Sequence, residues 1–199
     1  MAIAKDILNY LTQPENLALA LEISDHVDEL KRQTHYDFWI AFNHEIQTRL
    51  SESDLHTQWA YQPFDVERMR TDWNQAYMQP VLRDDPVSFL QFAVGQASSK
   101  NNFSLMWGVL WNKTPENYPS LSLANLKSTI LANKMTIMDA APRWLGWNYL
   151  PYTPFTYSFI HRMHSERESF VGEVVETVWK AFQEMQADMH RINQSVLQG

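Results

Sequence analysis

Between Pro14 and Leu50 the chain carries no further proline and no glycine, and its apolar residues recur at helical spacing. Ala20, Ile23, Val27 and Leu30 follow a 3-4-3 pattern, and Phe38, Trp39, Phe42, Ile46 and Leu50 continue a stripe after a phase shift near Thr34. Pro14 suits a first helical turn, where a missing N–H costs nothing. One unbroken helix over Glu15–Leu50 would run about 50 Å. A break near Thr34–Tyr36 is the alternative.

The middle of the chain changes period. Leu55–Tyr61 and Phe89–Ala97 contain alternating stretches, and Phe103 to Trp111 reads as a strand buried on both faces. Ser98–Asn102 between them predicts a hairpin turn. Asp65–Met78 is read as a short helix ending before Pro80, and Arg83–Pro86 as a loop. Ser122–Met135 predicts a helix with Ser122 as its cap. Arg143–Tyr149 predicts a further strand, closed by the proline-flanked Pro151–Pro154.

The most regular signal is C-terminal. Val171, Val175, Val178, Phe182, Met185, Met189, Ile192 and Val196 recur at 4-3 spacing. Such a seam needs another helix over it, and the N-terminal helix is the natural cover. The alternative is a homodimer through Val171, Val175, Val178, Phe182, Met185 and Met189. With no internal repeat or linker, the expectation is one α+β domain over 1–199. It is helical over 15–50, 119–135 and 155–196 and strand-rich over 54–112 and 143–150. Long N- and C-terminal helices pack on a small, mainly antiparallel, Trp-rich sheet.

Composition narrows the function classes. With 45% hydrophobic and 20% charged residues in 199, the chain can bury a core. Five glycines leave little for phosphate-cradling loops, and the absence of cysteine removes disulfides, Cys-ligated metals and thiol nucleophiles. The net charge of −7 argues against a nucleic-acid clamp, though it leaves room for a local basic face. No apolar run reaches the roughly 20 residues of a membrane span, and the first residues lack signal-peptide pattern, so a soluble, cytoplasmic chain is expected.

Candidate chemistry is sparse. His161 and His164 fall at i, i+3 with Glu168 beyond, which departs from the i, i+4 helical zinc motif. His26, His35 and His44 read as partly exposed surface. Asp25, Glu29 and Lys31 imitate an acidic–x–Lys nuclease element, but on a helix Glu29 and Lys31 point roughly 200° apart and cannot share a cation. Asp84–Asp85 lies in a proline-bounded loop, and no Ser sits in a hydrolase elbow. The aromatic density is the remaining lead. Trp107, Trp111, Trp147 and Tyr149, with Arg143 nearby and His161 or His164 at the rim, are candidates for a ligand or partner pocket, although a sheet packed under helices also explains them. No catalytic, cofactor or metal residue is assigned.

The opening stretch Asp6–Gln47, in which PENLALALEISDHVDELK is followed by the DFW cluster Asp37–Trp39, resembles the segment that follows the nuclease core in bacterial PD-(D/E)XK nuclease-like proteins. The acids and Lys of that family's core have no counterpart here, so no catalytic residue carries over. The resemblance implies an accessory C-terminal region that acts in recognition, dimerisation or regulation, with defence against foreign DNA as the context. The three expectations are therefore a non-catalytic interaction module of such a protein, a small-ligand binder or enzyme with an aromatic pocket, and a dimerising helical scaffold.

Overall fold

A computed structural model describes residues 2–68, 75–81, 89–99, 102–112, 120–133, 135–137 and 144–197. The elements in chain order are α1 (Ala2–Leu11), α2 (Pro14–Glu52), β1 (Trp59–Gln62), β2 (Gln75–Pro80), β3 (Leu90–Ser99), β4 (Asn102–Trp111), α3 (Ser120–Ala132), β5 (Thr136–Ile137), β6 (Trp144–Tyr149), α4 (Tyr157–Ser165) and α5 (Arg167–Leu197). The strands form one antiparallel sheet in the order β1-β2-β3-β4-β6-β5. This is the α+β class that the periodicities predict, with helices packed on a small sheet.

The helices cover one face of the sheet. α5 lies against both α2 and α3 and touches β3. Its Val174, Val178, Phe182 and Met185 share a core with Phe42 and Ile46 of α2, Leu126 and Ile130 of α3, and Phe92, Leu105 and Val109 of the sheet. The C-terminal seam is consumed in this packing. Val171, Val175, Val178, Phe182, Met185 and Met189 are all 0–4% exposed. These side chains are taken up by packing within the fold, and the N-terminal helix is part of the cover.

A second buried cluster, Ala93, Met106, Leu110 and Trp144, occupies the opposite face of the sheet. Strand alternation sends neighbouring residues of β3 and β4 to opposite sides. On β6 the register shifts opposite Val109/Leu110, which brings Leu145 to the helix side while Trp144 stays on the other. Gly108 allows the close approach at this point, because a Cβ there would lie 2.3 Å from the Gly146 carbonyl oxygen.

One buried side chain ties the last helix to the sheet. Asn193 Oδ1 accepts from the N–H groups of Phe89 (2.7 Å) and Leu90 (2.9 Å), and its Nδ2 donates to Leu90 O and Met189 O (both 3.0 Å). All its hydrogen-bonding capacity is used, which is what a fully buried amide requires.

Several expectations need correction. The helix read over Asp65–Met78 is not formed in its described parts: Val66–Arg68 is a 3-10 turn and Gln75–Pro80 is strand β2, paired on both sides, while 69–74 lie outside the described residues. The alternation predicted from Leu55 begins only at Trp59, because Asp54–Thr57 forms a 3-10 turn capped by Ser53. α3 starts at Ser120, two residues before the cap expected at Ser122. The hairpin at Ser98–Asn102 is present, since Ser99 pairs with Asn102. Arg83–Pro86 and Arg143 lie outside the described residues. α2 runs unbroken through Thr34, whose Oγ1 donates to Leu30 O one turn back at 2.7 Å.

Candidate functional site

Three places merit functional scrutiny: the projecting half of α2, its foot on the body, and a groove beside α5. The projecting half comes first because it departs most from the rest of the molecule. α2 buries Thr34, His35, Phe38, Trp39, Phe42, Ile46 and Leu50, and nothing before Thr34. α1 follows the same rule. It bends away at Thr12–Gln13, where Asn16 Nδ2 donates to Tyr10 O at 3.0 Å. Of fifteen large apolar residues exposed among the described residues, ten lie between Ile7 and Leu30, each 38–61% exposed. Glu22, Asp28, Glu29, Lys31 and Arg32 on this arm make only local contacts within the helix. The acidic–x–Lys imitation is thus a solvated helix face, with Lys31 paired to Asp28 and Arg32 to Glu29.

At the foot of the arm, Thr34 Oγ1 lies 3.2 Å from His164 Nε2 of α4, and Arg167 Nη2 donates to Asp37 O at 3.1 Å. His161 and His164 are both exposed, and with Tyr157 they share one face of α4 at i, i+4, i+7 spacing. Among the described residues no three His, Cys, Asp or Glu converge as metal ligands.

His35 stands just inside this foot and is 1% exposed, not the partly exposed surface residue that its spacing from His26 and His44 suggests. Its ring contacts Phe103 and Phe155, whose centroids lie 5.4 and 5.3 Å away. Trp39 Nε1 donates jointly to His35 Nε2 (3.1 Å) and Gln96 Oε1 (3.2 Å). His35 Nδ1 meets no hydrogen-bond partner. Burial drives the ring's pKa down from 6.5 to about 4, against a smaller opposing pull from Gln96, so the ring is neutral. Phe155, which packs on it, is the one non-glycine residue with positive φ (73°) among the described residues.

The groove has a volume of about 580 Å³ and is walled by Trp107, Asn133, Asn148, Glu176, Lys180 and Glu184 among others. Its carboxylates are already engaged. Glu184 accepts from Asn133 Nδ2 at 2.7 Å, and Glu176 accepts from Arg49 of α2. The groove supplies a polar wall over one indole, and no nucleophile–base pair or cation set accompanies it among the described residues. It brings together only two of the expected pocket residues, Trp107 and the edge of Tyr149. Trp147 packs against the cluster on the far face of the sheet, edge-on to Tyr149 at 4.6 Å. Trp111 is half-buried against the main core. His161 and His164 belong to the foot of the arm instead, so the aromatic pocket does not assemble as one site.

The remaining electrostatic work is structural. Arg162 lies over the Phe170 ring at 4.4 Å and donates to Glu166 and Glu173, and Tyr152 also donates to Glu173. Arg162, followed by Tyr152, holds the Glu173 carboxyl below its ordinary range. Burial raises the Tyr61 phenol, which donates to Asn43 Oδ1 at 2.6 Å. These groups brace α4 and α5 and fix the start of the sheet.

No family model matches this chain, and neither a curated protein nor a solved structure matches it. Among the described residues no helix is long and apolar enough to cross a membrane.

Proposed function

We propose that the chain is a non-catalytic interaction module that works with a bacterial PD-(D/E)XK nuclease-like protein in the cytoplasm, in defence against foreign DNA. The observation that carries the module reading is the arm. A helix whose apolar side chains meet only water is marginal in isolation, and a contiguous exposed apolar surface of this size belongs at an interface. The nuclease association rests on the resemblance of Asp6–Gln47, which spans the arm and its root. The groove gives weaker support to a small-ligand reading, because its carboxylates are already engaged, Glu184 by Asn133 and Glu176 by Arg49 of α2.

The test is co-elution of the full chain with the nuclease-like protein encoded nearest to it. Replacing Leu8 and Leu21, two of the most exposed arm residues, by glutamate should abolish co-elution while the circular dichroism spectrum is unchanged. Independent elution of the unaltered chain and the nuclease-like protein overturns the association.

A further inference from the structure

The arm carries a more specific message than exposure. Leu19, Ala20, Ile23, Val27 and Leu30 fall within an arc of roughly 100° around α2. This stripe is rotated by roughly a quarter turn from the face that Phe38, Trp39, Phe42 and Ile46 bury. It therefore cannot be an extension of the core face and needs a cover of its own. Leu17 and Leu21 lie outside the stripe.

We infer that the cover is the same stripe of a second copy, laid antiparallel. Turned about Asp25, Ala20 comes opposite Leu30 and Ile23 opposite Val27. In heptad terms each of these layers joins an a position to a d position, as two antiparallel helices require. Each layer sets a smaller side chain against a larger one. A parallel arrangement would stack Ala20 on Ala20 and Asn16 on Asn16, leaving the first layers thin.

The charges agree with self-pairing. Glu15, Glu22, Asp25, Asp28, Glu29 and Arg32 occupy the arc away from the stripe, so two acidic arms can meet without opposing their carboxylates. The positions that flank the stripe are Leu17, Ser24 and Lys31 on one side and His26 and Gln33 on the other. Per copy the stripe offers Leu19, Ile23, Val27 and Leu30, each 42–59% exposed, with Ala20 between them. In this arrangement the bend at Gln13 comes opposite Asp37 of the second copy. α1 then reaches the foot of the other arm, where Tyr157 (81% exposed), His161 and His164 form an open face.

This pairing rests on the reading of the arm as a contact surface, and it is tested separately from the nuclease association. The chain has no cysteine, so disulfide trapping has no background. Full-length Ile23→Cys and Val27→Cys variants, mixed and oxidised, should cross-link to each other far more than either does to itself. Self-linking of Ile23→Cys overturns the antiparallel register. Absence of any cross-link, with a monomeric mass at all concentrations, overturns the pairing. A second variant, Ile23→Glu with Val27→Glu, should weaken the dimer by more than about a hundredfold in sedimentation, because it buries charges in adjacent layers. Leu21→Glu, which lies outside the stripe, should weaken co-elution with the nuclease-like protein while keeping the Ile23–Val27 cross-link, so a failure of one reading is distinguishable from a failure of the other.

Discussion

The two halves of α2 have similar helical character but opposite surroundings. From Thr34 to Leu50 the helix buries seven side chains among α4, α5 and the sheet; from Pro14 to Gln33 it buries none. Helical propensity does not distinguish them, since neither half contains an interior glycine or proline. What differs is the direction of the apolar face, which rotates near Thr34. A phase shift inside a continuous helix thus marks a change of partner and not a break.

Breaking the inner half should be costly. Trp39 stacks on Phe64 at 3.9 Å with rings nearly parallel, and its N–H links His35 to Gln96. Trp39→Ala should lower the unfolding free energy by about 3–5 kcal/mol in a denaturant titration.

A titration of His35 sharpens the contrast by reading the inner half alone. The neutral ring is the folded form, and Trp39, Gln96, Phe103 and Phe155 around it carry no charge. Between pH 6.5 and about 4 the unfolded chain binds a proton that the folded chain refuses. Stability should therefore fall as pH drops through that window, by about 3 kcal/mol, and His35's share should level off below it. Urea midpoints measured against pH should show this slope, and His35→Gln should flatten it.

The smallest effect is expected on the outer half. Ile23→Asp, measured at dilutions where the chain is monomeric, should change the unfolding free energy by less than about 0.5 kcal/mol. A large loss there would mean that the arm packs on its own body.

Legibility followed the range of the interactions. The seam of α5, the β3–β4 hairpin and β6 were readable because each is a local period that the core then uses. β2 was not, because Gln75–Met78 has a composition that suits a helix and becomes a strand only by pairing with Gly95–Phe92, residues distant in the chain. The placement of the two indoles was not legible for a related reason. Trp107 pairs with Asn148 and Gly108 with Trp147, so the pleat sends the two indoles to opposite faces of the sheet. Arg143 lies outside the described residues, and the two histidines of α4 sit at the arm instead. His35 had a signal that could have been read: it stands one turn before Trp39, at the head of the stripe through Phe42 and Ile46. Its burial, like that of Gln96 and Asn193, depends on partners far along the chain.

α2 is also a lever. Its inner 17 residues extend about 25 Å inside the body, and some 20 more extend about 30 Å beyond it. A tilt of only about 2°, which displaces the buried ends by roughly half an ångström, swings the tip through about 1.5 Å. Whatever grips the arm therefore works with a mechanical advantage of about three over Trp39 and its neighbours, and a small repacking around His35 is magnified by the same factor at the tip.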